Sequence, residues 1–149
     1  MVSALPARNG TRTITNHLFV YGTLMRNAAD APMGRLQRGK LDAAAEWLGQ
    51  AQIDGRLYDR GCYPILVMGG SGRETVYGEV YRLRSPVMTF QWLDPYEGIP
   101  PGKTRGPEYE RIVGKVRLEG GSEIDVWVYA HHGSLGTARH VLEGRWRPA

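Results

Sequence analysis

Two runs near the C-terminus, Tyr109 to Leu118 and Ile124 to Tyr129, constrain the fold most strongly. Both are rich in branched and aromatic side chains, and Gly120-Gly121 between them suits the positive φ angles of a tight connection, so they predict an antiparallel hairpin. Thr75-Val76-Tyr77-Gly78-Glu79-Val80-Tyr81 predicts a further strand on the same grounds. Gly55 to Tyr58 and Ile65 to Met68 read as two more, around a turn holding Asp59, Arg60, Gly61, Tyr63 and Pro64. Gly69 to Gly72 is a flexible, hairpin-like connection. A chain with this many short strands must build most of its core from a sheet.

Before these strands lies His17-Leu18-Phe19-Val20-Tyr21-Gly22-Thr23-Leu24, where a short apolar strand runs into a glycine turn. Gly22 lets the backbone turn sharply, and the amides of Gly22, Thr23 and Leu24 can then face one concavity, an anion or oxyanion site without a charged side chain. A plain β-turn would look the same. One helix is expected from Ser85-Pro86, serine as N-cap and proline in the first turn, to about Leu93. Val87, Phe90 and Leu93 would share its buried face, and Pro95 would end it, leaving Tyr96 and Glu97 in the following turn. Met25 to Lys40, broken by Asp30, Pro32, Gly34 and Gly39, reads as a loop with a short helical turn. Ala43 to Gln52 has the composition of a helix. His131 to Gly136 is loop-like, with a short helix through Leu142 before Trp146 anchors the tail.

A chain of 149 residues suits one domain with a single core. No apolar run approaches the roughly 20 residues needed to span a bilayer, so a soluble protein with no membrane contact is expected. Residues 1–16 hold Arg8 and Arg12 but no apolar stretch of a secretory signal and read as a loose cytoplasmic tail, with the domain in residues 17–149. The single cysteine, Cys62, has no internal disulfide partner and is expected to be a buried or half-buried apolar residue. A net charge of +4 and a pI near 9.4 do not indicate nucleic acid, because the basic residues are scattered among acids rather than gathered in a stripe.

Read together, the Gly22 turn, Leu93-Asp94-Pro95-Tyr96-Glu97-Gly98 and Tyr109-Glu110-Arg111 resemble the gamma-glutamylcyclotransferase-like (AIG2-like) family. Supporting matches are Gly55-Arg56-Leu57-Tyr58, Cys62-Tyr63-Pro64, Gly78-Glu79-Val80-Tyr81 and Gly144-Arg145-Trp146-Arg147. The resemblance runs from His17 to Arg147 and implies an α+β fold, a small mixed β-barrel with flanking helices. It also implies that Ala43 to Gln52 is a strand ending before Asp54-Gly55. The implied activity is cyclisation of a gamma-glutamyl amino acid, amine or related compound to 5-oxoproline, a small-molecule reaction needing neither metal nor organic cofactor.

In such a substrate the α-amine attacks the side-chain carbonyl of the same molecule. The ammonium must first lose a proton, so one carboxylate beside it is the least machinery required. The resemblance assigns that role to Glu97, with Trp92 and Tyr96 as the surroundings that would raise its pKa. A glutamate just beyond a helix is otherwise solvated or paired with an arginine. The resemblance further gives the Tyr21-Gly22-Thr23-Leu24 backbone to substrate binding and Tyr109 to orienting Glu97 or the substrate, although a tyrosine in a sheet is often core packing. Asp94 is expected to cap or brace its loop and Arg111 to pair with an acid. Glu79 is the rival acid, placed outside the barrel by alternation. His131 and His132 read as surface histidines, since no further ligand spacing supports a metal site. Gly98 to Glu108 is longer than in compact relatives and reads either as a substrate lid carrying Lys103 and Arg105 or as an exposed basic loop with no specific contact, whereas Met25-Arg26-Asn27 lacks the glycine often found there. The alternative to an enzyme is a non-catalytic domain that binds a metabolite or protein partner on the same fold.

Overall fold

Strand β1 (His17–Val20) opens the order of elements in the computed structural model, which describes residues 15–69 and 74–147. A 3-10 turn (Arg26–Ala28), α1 (Arg35–Ala44), β2 (Ala45–Asp59), β3 (Pro64–Met68) and β4 (Thr75–Leu83) follow. Then come α2 (Pro86–Tyr96), β5 (Tyr109–Leu118), β6 (Glu123–His131) and β7 (Arg139–Val141). Strands pair in the order β2-β4-β1-β6-β5, and β5 returns to β2 through Ala51–Leu118 and Ile53–Val116, closing a barrel. Only β1 and β6 run parallel; the other pairs are antiparallel, so the barrel is mixed. Beyond it, the far half of β2 pairs with β3 and β7.

Side-chain alternation fills the barrel. The registers place Phe19, Ala51, Ile53, Val76, Val80, Val116, Val126 and Val128 on its inner face, none more than 3% exposed. The opposite face of β1 and β6 carries Leu18 and Trp127, and α2 packs there, Phe90 meeting Trp127 edge-on at 5.7 Å. Gly78 has no Cβ because one would lie 2.2 Å from Val20 O and against the Phe19 ring, so glycine permits this close strand pairing.

Several local expectations change. The loop expected over Met25 to Lys40 contains most of α1, a ten-residue helix that buries Leu41 against the barrel. The helical composition of Ala43 to Gln52 is spent on the last two residues of α1; from Ala45 the chain is extended because β4 offers it a continuous ladder, which β5 joins at Ala51 to Ile53. β2 does not stop before Asp54-Gly55 but continues for 15 residues, alternately buried as far as Leu57. The short helix expected before Leu142 is β7, aligned with Leu57–Asp59, where His140 stacks on Tyr58 at 5.0 Å. Cys62 is exposed, at the tip of a turn whose Gly61 N–H bonds Asp59 Oδ1 and whose Arg60 N–H bonds Tyr63 O.

The α2 start matches its sequence signal: Ser85 Oγ accepts from Met88 N–H at 3.3 Å, with Pro86 in the first turn. Its end does not. Pro95 lies inside the last turn, and helix geometry persists to Tyr96 although proline forfeits the bond to the carbonyl of Gln91, an exposed residue. The expected buried face is also shifted: Val87 is 66% exposed, while Thr89, Leu93 and Asp94 are buried. Of the tail, only Thr15 and Asn16 are described, and both are tied down, by Trp127 Nε1 to Thr15 O and Leu83 N–H to Asn16 O. Residues 1–14 and Gly70 to Arg73 of the glycine-rich connection lie outside the described residues. Among the described residues no helix is long and apolar enough to cross a membrane.

Candidate active site

Because β1 and β6 are parallel and β5 is antiparallel to β6, the C-terminal ends of β1 and β6 and the start of β5 meet at one end of the barrel. The end of α2 and the start of β3 reach the same end. Between them lies a cavity of about 420 Å³ lined by Tyr21, Gly22, Thr23, Leu24, Glu97 and Tyr109, the residues singled out above, together with Phe19, Tyr63, Pro64, Tyr96, Glu108 and Tyr129.

The Gly22 turn forms one wall. Met25 N–H closes on Gly22 O at 3.0 Å, and Arg26 N–H donates to Glu79 Oε1 at 2.7 Å. The amides of Gly22, Thr23 and Leu24 have no protein acceptor among the described residues. A Cβ at Gly22 would lie 2.5 Å from Pro64 Cγ, so glycine lets β3 approach the turn. Glu79 is 1% exposed; β4 does turn it away from the barrel interior, but the loop after β1 and Trp47 cover it, and Trp47 Nε1 also donates to Oε1 at 3.2 Å. It is a strut for the turn rather than a rival to Glu97 in the cavity.

Glu97 faces this wall from the C-cap of α2. The helix stops in a Schellman motif: Gly98, at φ 79°, donates to Pro95 O at 3.0 Å, and Ile99 donates to Asp94 O at 2.9 Å with its side chain buried beside Leu93. The motif fixes the direction in which Glu97 leaves the helix. Burial among apolar side chains pushes the Glu97 carboxyl up to about 8, with the Asp94 and Glu108 carboxylates adding to the rise. Among the described residues no hydrogen bond to the carboxylate offsets this. Tyr96 contributes to the apolar setting and bonds Thr23 Oγ1 at 2.9 Å, bridging the two walls. Trp92 is not in the cavity; it lies under the Lys40 ammonium on the helix surface.

The tyrosines brace the site. Tyr109 lines the cavity, and its hydroxyl donates to Pro64 O at 2.7 Å rather than to Glu97; of the two roles expected of it, orienting the acid or the substrate, contact with the substrate is the one this position leaves to it. Tyr21 donates to Tyr129 O at 2.6 Å, and Tyr129 in turn donates to Asp94 Oδ1 at 2.5 Å. Asp94 also takes a two-pronged bond from Arg111, Nε at 2.9 Å and Nη2 at 3.1 Å, whose guanidinium lies 4.0 Å from the Phe90 ring and 4.9 Å from the Trp127 ring. Asp94 and Arg111 thus have the bracing roles expected of them. His131 and His132 contact backbone carbonyls, Ser134 O and Gly106 O.

Glu108 was not a sequence candidate. It sits in the loop before β5, where Tyr63 donates to Oε1 at 2.8 Å and Arg60 pairs with Oε2 at 2.6 Å. Its carboxylate is held at the cavity by the Cys62-Tyr63-Pro64 turn, 45 residues away in the chain. Its loop is tied to the sheet by Arg111 N–H to Thr104 O, Gly106 N–H to Tyr109 O and His132 N–H to Glu108 O. Arg105 of this loop meets His132 at 3.0 Å.

Fold and site together define a mixed-barrel protein of the cyclotransferase fold class. The family model for gamma-glutamyl cyclotransferase, AIG2-like, matches residues 18–148, and the chain belongs to that family. An AIG2-like protein from Mus musculus is 22% identical with a TM-score of 0.65, over 89% of this chain and 88% of its own. The ytfP protein from Escherichia coli is 29% identical with a TM-score of 0.55, over 87% of this chain and 95% of its own. YkqA from Bacillus subtilis is 22% identical with a TM-score of 0.62, over 89% of this chain, which spans only 40% of that longer protein. No curated protein matches the chain.

Proposed function

We propose that the chain cyclises a gamma-glutamyl amino acid, amine or related compound to 5-oxoproline. The observation that carries this reading is the Glu97 carboxyl, raised to about 8 by burial, in the same cavity as the unpartnered amides after Tyr21. An α-amine has a pKa of about 8. With glutamate at its ordinary 4.5, proton transfer from the ammonium would be uphill by roughly 5 kcal/mol; at about 8 the two sites are nearly matched.

The substrate amine, freed of its proton by Glu97, attacks the side-chain carbonyl carbon. The bond it forms closes the five-membered ring, and charge gathers on the carbonyl oxygen. Amides of the Gly22 turn stabilise that oxyanion, an effect of roughly 3 kcal/mol for a well-placed donor. As the tetrahedral centre collapses, the old C–N bond breaks and Glu97 gives its proton to the departing amine; the freed carboxylate then takes the second proton from the ring nitrogen, leaving a neutral lactam. Cavity walls hold the flexible glutamyl chain in its attacking conformation, for which orientation supplies roughly 7–11 kcal/mol in favourable intramolecular reactions.

The test is release of 5-oxoproline from a panel of gamma-glutamyl compounds, repeated with Glu97→Gln. Wild type is expected to turn over at least one, and the variant to lose roughly 100-fold or more in kcat. Binding of panel members without any turnover would favour a metabolite-binding domain, and wild-type rates in Glu97→Gln would remove Glu97 from the chemistry.

A further inference from the structure

We propose that Arg38 is a positioning residue that aims the Leu24 N–H into the cavity as an oxyanion donor; the donor role rests on the cyclisation reading above. Arg38 lies in the first half of α1, and helical side chains lean toward the N-terminus of their helix, which brings this guanidinium over the loop that follows β1. Nη1 donates to Thr23 O at 2.6 Å and Met33 O at 2.9 Å, and Nη2 donates to Ala31 O at 2.6 Å and Ala29 O at 3.4 Å. One side chain therefore gathers four carbonyls that would otherwise splay around an irregular loop.

The Thr23 carbonyl has a consequence across the peptide plane. Thr23 O and the Leu24 N–H belong to one planar unit, and no peptide among the described residues is cis, so the two groups point in opposite directions. Drawing Thr23 O toward α1 turns the Leu24 N–H the other way, toward the cavity that Leu24 lines. That N–H has no protein acceptor among the described residues. Its neighbour is set in the same manner: Gly22 O accepts from Met25 N–H, so the Thr23 N–H is directed away from Met25 N.

Charge acts in the same sense as geometry. A cation on a carbonyl oxygen polarises the amide and makes its N–H a better donor. The placement is otherwise unfavourable, because Arg38 brings positive charge near the positive end of α1, which has no side-chain cap and no acid in its first turn. Bonds to the loop carbonyls offset that cost, and a lysine, with its compact ammonium, cannot reproduce the planar fork.

The experiment combines kinetics on Arg38→Ala and Arg38→Lys with 15N relaxation of the Thr23 and Leu24 amides. With the panel member that wild type cyclises fastest, Arg38→Ala is expected to lose roughly 10–100-fold in kcat while KM changes by less than about threefold, because an oxyanion donor acts on the transition state. Added guanidinium should restore part of that loss, and Arg38→Lys should fall between alanine and wild type. The Leu24 order parameter should drop from about 0.85 toward 0.6 in Arg38→Ala. Undiminished kcat in Arg38→Ala, or a Leu24 amide as ordered as in wild type, overturns the proposal. A wild type that turns over nothing defeats the cyclisation reading instead, and the relaxation data still decide whether Arg38 fixes the Leu24 N–H.

Discussion

Replacing Glu97 by glutamine should make the protein more stable at alkaline pH while abolishing the proposed cyclisation. Below about pH 4.5 the carboxyl carries its proton in both the folded and unfolded chain and adds no pH dependence. Between 4.5 and about 8 the unfolded chain gives up the proton and the folded chain keeps it, so wild-type stability falls as pH rises through this window. Above about 8 the loss is complete. At about 1.4 kcal/mol per pH unit the window sets an upper bound of roughly 5 kcal/mol. Glu97 is only half-buried, and solvent at its open side reduces the measurable share to roughly 2–3 kcal/mol. Glutamine has the same shape and no charge to desolvate, and no hydrogen bond to the carboxylate is lost. Urea unfolding at pH 4.5, 7 and 9 should therefore give matching stabilities at the first pH and a variant ahead by roughly 2–3 kcal/mol at the last, equivalent to about 5–10 °C in Tm. Parallel stability curves for the two proteins across this range would refute the burial of the carboxyl and with it the acid–base role.

Three further perturbations separate support from chemistry. Asp94→Asn strips the charge from the Arg111 and Tyr129 bonds and should cost roughly 3 kcal/mol in thermal melts; it also removes a neighbouring carboxylate, so the Glu97 titration, followed by NMR, should move down from about 8. Gly22→Ala places a methyl against Pro64 and should cost roughly 1–3 kcal/mol in urea while cutting 5-oxoproline formation at least about tenfold, because the amide turn must shift. Tyr109→Phe leaves Pro64 O without its donor and should cost roughly 1–2 kcal/mol with kcat within a few-fold of wild type, since the hydroxyl serves the wall and not Glu97.

Punctuation and local patterning were legible in the chain itself. The Gly120-Gly121 hairpin, the β-branched run of β4 and the Ser85-Pro86 helix start all appear where local chemistry puts them, because each is decided by residues within a few positions of one another. α1 and β2 were not legible to the same degree. Ala45 to Gln52 has no strand preference of its own and is extended because β4 pairs along it and β5 joins at Ala51, a pairing set by residues tens of positions away. Glu79 shows the same limit: alternation gives its side of the strand, but only the packed loop after β1 decides that this side is dry.

By itself the sequence determined which residue types were available for the chemistry: one glycine turn after an apolar strand, and one glutamate following a helix. Tertiary structure decided what those residues became. It buried the Glu97 carboxyl beside Asp94 and Glu108, and it set opposite that carboxyl a turn in which Arg38 takes up Thr23 O, Met25 N–H takes up Gly22 O, and the amides of Gly22, Thr23 and Leu24 have no acceptor among the described residues. A carboxyl's pKa depends on the solvent and charges around it in space, and an amide's direction depends on what holds the carbonyl across its peptide plane. Neither quantity is a property of a residue in a string.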